Sequence, residues 1–191
     1  MTDLGAAAAM TRHRPRRRAL VATACVVAAI GPLLGLLGAR INTTPSLAYG
    51  VYWVTDAAPQ VGRYITFCPP LDDAVFAMAQ ARGYLKRGPC AGQVRPLLKR
   101  VLAGPGDRVA VVEEGVRVNG VLLDHSRPNR RDFQGRALPA LHVDERTLHD
   151  DELLVMSDTN DLSFDSRYYG PIPRSLVRDV IRPVITWQAM Y

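Results

Sequence analysis

Few residues of this chain could make or break a covalent bond. Beyond position 40 there are six serines (46, 126, 157, 163, 166 and 175) and two lysines, Lys86 and Lys99. Ser46 sits in "INTTPSLAYGVYW" (41–53), where Thr, Thr and Pro precede it and a glycine and aromatic residues follow. A plain linker needs no such order, whereas a reactive corner needs one hydroxyl held at a fixed angle. Lys99 sits in "LLKRVLA" (97–103). If that run is a strand, Leu97, Lys99, Val101 and Ala103 share one face, and Leu98, Arg100 and Leu102 share the other. Aliphatic neighbours disfavour the ammonium form and lower its pKa. A lysine acting as a base near neutral pH requires this, each pH unit corresponding to about 1.4 kcal/mol. The plainer alternatives are that Ser46 caps a turn and that Lys99 snorkels into water. His125, His142 and His149 lie in or beside a polar stretch with no fixed spacing to Ser46, so a Ser-His-Asp site is disfavoured.

The elements that must position these residues read mainly as β-strands. "VYWV" (51–54), "RYITF" (63–67), 97–103, "RVAVV" (108–112) and "VRV" (116–118) are rich in β-branched and aromatic residues. Asn119-Gly120 between apolar runs signals a tight hairpin. "ELLVM" (152–156) and "VIRPVITW" (180–187) complete the set, with Pro183 expected to place the last strand at a sheet edge. One helix is expected over about Leu71–Leu85, with Asp72 and Asp73 in its first turn and Val75, Ala79 and Arg82 at helical spacing. Residues 125–149 read as a surface excursion. The pattern predicts a single, mainly β domain with one small helical insertion.

The charge distribution sets the compartment. Six of the 24 basic residues and one of the 18 acidic ones precede position 41, leaving 18 against 17 beyond it. That near-neutral remainder excludes an extended nucleic-acid surface. Ala19–Ala39 carries no charge and follows "RHRPRRR". Twenty-one residues at a ~1.5 Å rise reach roughly 31 Å, about one hydrocarbon core. The expectation is a cytoplasmic basic tail (1–18), a transmembrane anchor (19–39) and an exported domain (41–191), by the positive-inside rule. A cleaved signal peptide is the alternative, but cutting after Ala39 would put bulky Leu37 at the third residue before the cut. Cys68 and Cys90 would then lie in an oxidising space, as a candidate disulfide or as two buried thiols. No His or further Cys accompanies either one at zinc-ligand spacing, and no metal or organic cofactor is expected.

The chemistry-bearing stretches resemble the bacterial signal peptidase family. "KRVLAGPGD" (99–107) resembles its lysine box, and "SDTNDLSFDSRYYGPIP" (157–173) its C-terminal box. The N-x-T-x-S-x-x-x-G-x-Y pattern of Asn42, Thr44, Ser46, Gly50 and Tyr52 resembles the TraF-type branch, the conjugative-transfer signal peptidases. The resemblance implies a Ser–Lys dyad, with Ser46 as nucleophile and Lys99 as general base. It implies that Thr44 helps the Ser46 backbone N–H hold an oxyanion and that Ser163 accepts from the lysine amine. It further implies that Asp165 and Arg167 form a structural ion pair with Arg100 as a further partner, and that Asp158 holds the same loop. Two positions depart from the family: Ala48 where it usually has Pro, and Ser157-Asp158 where it often has Gly-Asp. The implied substrate is a membrane-inserted precursor, a pilin subunit or a secretory preprotein, met at the lipid bilayer. Rival readings are a general type I signal peptidase, a cytoplasmic self-cleaving repressor-type protease and a catalytically inactive membrane-tethered scaffold.

Overall fold

A computed structural model describes residues 14–187. The chain divides into two units, Met1–Ala39 and Arg40–Tyr191. The first contains helix α1 (Arg14–Leu36), with Pro32 inside it. Of the basic tail expected at 1–18, residues 1–13 lie outside the described residues. The helix does not keep the bounds expected of the span, 19–39. The helix ends at Leu36, Ala39 already begins a strand, and no helix of the described residues is long and apolar enough to cross a membrane. Four of the first five residues of α1 are arginine. The uncharged remainder, Ala19–Leu36, measures about 27 Å.

The second unit is built on strands β1 (Ala39–Asn42), β2 (Tyr49–Thr55), β3 (Tyr64–Phe67), β4 (Leu97–Ala103), β5 (Arg108–Val112), β6 (Gly115–Val118), β7 (Val121–Leu122), β8 (Val143–Thr147), β9 (Glu152–Met156), β10 (Ile172–Pro173) and β11 (Val177–Trp187). The helix expected over 71–85 is shorter: α2 spans Ala74–Ala81, and Asp73 is its N-cap, accepting from Val75 N at 2.8 Å. A single turn, α3 (Ser166–Tyr169), follows β9. The larger sheet has the order β1-β2-β11-β3-β4-β9-β10 and the smaller β7-β6-β5-β8. The β6–β7 turn is the expected Asn119-Gly120 pair, both at positive φ.

Alternation decides where the core lies. Lys99, Val101 and Ala103 of β4 are buried, while Leu98, Arg100 and Leu102 are less so. Ile65, Phe67, Val101, Leu153 and Val155 form one apolar cluster, and Val109, Val111, Val116, Leu154 and Met156 a second. Two sequence expectations change. β11 is an interior strand, between β2 and β3. Pro183 is tolerated because pairing with β3 ends at Ile181, so beyond that point the strand has β2 alone as neighbour. Within the 125–149 excursion, "VDERT" forms β8, whose polar side chains hid it from an apolar-pattern reading.

Candidate active site

Lys99 lies in β4 opposite Ile65 of β3, 1% exposed. Desolvation pulls its pKa down to about 8; Asp165 pushes it back up and Arg167 lowers it further. Its Nζ donates to Ser163 Oγ at 2.6 Å, a buried contact of the kind the family resemblance implied. The other lysine, Lys86, is exposed. Burial therefore separates the two, and an amine that titrates near 8 is neutral in about a tenth of the molecules at pH 7.

The loop after β9 that carries Ser163 is held by Arg167. Both Arg167 and Asp165 are fully buried. They form a two-pronged pair, Arg167 Nε to Asp165 Oδ1 and Nη2 to Oδ2, each 2.8 Å. The guanidinium also donates to four main-chain oxygens: His125 (3.0 Å), Asn160 (2.9 Å), Asp161 (2.8 Å) and Ser163 (3.0 Å). Asp165 Oδ2 in turn accepts from Ser157 N at 3.1 Å. The expected link from Arg100 to this pair is absent among the described residues. Arg100 points to the other face of β4 and pairs with Asp158 at 2.6 Å. Alternation explains this, since neighbouring strand residues cannot serve the same side.

The turn bearing Ser46 is organised by Asn42, buried at the end of β1. Its Nδ2 lies 3.0 Å from each of the carbonyl oxygens of Thr44, Leu47 and Ala48. Its Oδ1 accepts from Thr44 N at 3.0 Å and Thr44 Oγ1 at 2.8 Å. The single Thr44 hydroxyl proton is thus engaged with Asn42, and the oxyanion role expected of it requires that bond to be exchanged. Tyr52 donates to Ala48 O at 2.8 Å, bracing the position where the family usually has proline. Gly50, at φ +149°, packs so closely on the Ile185 carbonyl that a Cβ has no room. Asn160 Nδ2 donates to Pro45 O at 2.9 Å, tying the Ser163 loop to the Ser46 turn. The site role of Asn42 was missed from sequence, although it opens the quoted motif.

Ser46, Lys99 and Ser163 line one cleft of about 330 Å³. No hydrogen bond joins Ser46 to Lys99 among the described residues, although both line this cleft. No histidine of the described residues lines the cleft. Cys68 and Cys90 form a disulfide, closing an insert with its own small core of Ala79, Leu85, Cys90 and Val94. Tyr84 and Leu97, packed on that core, also line the cleft.

Residues 17–186 match the family described as signal peptidase, peptidase S26. A plasmid transfer protein TraF from Escherichia coli is 49% identical over 152 residues, covering 80% of this chain and 85% of that protein. A conjugal transfer protein TraF from Agrobacterium tumefaciens (strain 15955) is 36% identical over 178 residues, covering 92% of this chain and 98% of that protein. Among solved structures, a signal peptidase I from Enterococcus faecalis V583 aligns at a TM-score of 0.37 with 22% identity, over 66% of this chain and 98% of the other.

Proposed function

Since the chain belongs to the signal peptidase family, peptidase S26, we propose that it is a serine endopeptidase of the Ser–Lys type. In this reading it cleaves an exported precursor of a conjugation apparatus, a pilin subunit. The observation that carries it is the buried Lys99 amine, beside Ser163 and in the same cleft as Ser46. Neutral Lys99 takes the Ser46 hydroxyl proton as Oγ bonds to the scissile carbonyl carbon. The Ser46 backbone N–H faces the developing oxyanion. Lys99 then gives its proton to the departing amine, leaving an acyl-enzyme on Ser46. Water resolves that ester with Lys99 again as base. Ser163 orients the amine, and Asp165 and Arg167 keep Ser163 in place.

The conjugation substrate rests on the TraF names of the relatives. The body beyond Arg40 is placed on the outer side of the cytoplasmic membrane, with 19–39 as its membrane attachment. The charge asymmetry around that segment supports this, and protease protection of intact against opened spheroplasts tests it. The partners in this reading are the lipid bilayer and the membrane-inserted precursor, with no nucleic acid and no cofactor. Ser46→Ala should abolish processing of the co-expressed pilin precursor, followed by gel mobility and mass. Undiminished processing would return the chain to the scaffold reading. Processing of ordinary secretory preproteins at equal rate would favour the general signal peptidase.

A further inference from the structure

We infer that the cleft selects substrates bearing a carboxylate within about three residues of the scissile bond, read by Lys86, Arg95 and Arg131. This rests on the peptidase reading above. All three residues line the cleft that holds Ser46 and Lys99, and all three are exposed. None is in an ion pair among the described residues. Asp132 is the one acidic residue in the lining, and its oxygens are taken up. They accept from Tyr84 Oη, Arg136 Nε and the backbone N–H groups of Gln134 and Arg136. The surplus is local, because the chain beyond position 40 carries 18 basic against 17 acidic residues. Low-dielectric cleft walls focus the field of such a cluster on whatever lies inside.

Arg95 is the best-placed of the three. Its backbone N–H donates to Lys86 O at 2.6 Å, and Gly88 packs against its Cα with no room for a Cβ. Its guanidinium donates to Thr43 Oγ1 at 3.2 Å. Thr43 is three residues from Ser46, at most about 10 Å of chain. An extended substrate covers that distance in about three residues. The Thr43 contact occupies one of the five guanidinium N–H groups, leaving donors for a carboxylate. Arg131 donates to the Gly135 carbonyl at 2.6 Å, which fixes its direction without neutralising it. A neutral or basic residue at the matching substrate position forgoes this attraction, and a basic one is repelled.

The full-length chain in detergent micelles is assayed on internally quenched peptides with small residues flanking the cut. Glu, Gln or Lys is placed in turn at each position within three of the cut. A second set ends at those positions as free acid or amide, separating a side-chain carboxylate from a terminal one. At the best position kcat/KM should be about fivefold higher for Glu than for Gln. That ratio should shrink with added salt and approach one in Arg95→Gln. Lys86→Gln and Arg131→Gln, which do not touch the Ser46 turn, should each lower the ratio part of the way. Equal rates for acid and amide forms in both sets, or a ratio unchanged in all three variants, would overturn the inference. If no peptide of any charge is cleaved in a manner lost in Ser46→Ala, the peptidase reading falls, and this inference with it. Cleavage that depends on Ser46 but ignores charge removes the inference alone.

Discussion

Lys99 and Lys86 line one cleft, yet they stand in different physical worlds. Lys99 is 1% exposed on a strand packed on both sides, with its pKa brought down to about 8. Lys86 belongs to the disulfide-closed insert and is exposed, as are Arg95 and Arg131. Arg167 repeats the contrast: it is fully buried, and it has a fully buried carboxylate and four carbonyls around it. Burial converts a basic side chain into a chemical or architectural device, because water no longer compensates its charge. Exposure leaves it a weak, salt-sensitive attractor. The same residue type therefore does two jobs in one cleft, and dehydration is what assigns them.

Replacing the buried members should break this contrast most severely. Lys99→Arg should lower kcat by at least about a thousandfold, because guanidinium stays protonated at any working pH. Quenched-peptide hydrolysis checks this, and in the wild-type chain the rate should climb with pH through about 8 as the amine loses its proton. Arg167→Met strands Asp165 and four carbonyls, so urea unfolding should show a loss of about 3–5 kcal/mol. Without Arg167, the remaining pull of Asp165 should also move the alkaline rise in activity to higher pH.

A third substitution sharpens the contrast by improving the fold. The folded chain binds the Lys99 proton only below about 8, whereas the unfolded chain binds it up to the ordinary lysine value of 10.5. Between those values the unfolded state carries more protons, so stability rises with pH across that window. Below it the buried charge costs about 3 kcal/mol. Lys99→Met should therefore be inactive yet more stable at pH 7 by about 2 kcal/mol, after about 1 for leaving Ser163 without its partner. The gain should vanish above pH 10.5 in parallel melts. The smallest of these effects is expected at Asn42→Ala, about a tenfold fall in kcat with KM little changed. Asn42 orders the turn around Ser46, and no atom of it is assigned to the reaction.

Local chemistry was legible in the sequence where one short run decided it. β4, β5 and β9 coincide with the runs 97–103, 108–112 and 152–156 that the apolar pattern marks, and the burial of Lys99 follows from its aliphatic neighbours on one face. Alternation also put Arg100 on the opposite face. Where family likeness pointed it towards Asp165 instead, the structure follows alternation. The misses are non-local. β8 pairs through its backbone with β5 despite a charged sequence. The interior place of β11 depends on a partner more than 100 residues earlier. Tyr84 meets Asp132 across the two insertions, a contact no periodicity encodes. Asn42 was in view as part of a motif, but its role needed the geometry of the carbonyls around it.

The grip of Arg167 on the loop before it has a consequence for how this protein can vary. Its four acceptors outside Asp165 are all peptide oxygens, an atom every amino acid supplies. Such a clamp reads the path of the chain and is blind to the side chains it passes. Within that path, Asp161 and Leu162 are exposed, Asp161 beside His125 and Leu162 at the cleft. They can change identity from one descendant to another, altering what the loop presents, while the hydroxyl of Ser163 stays where it is.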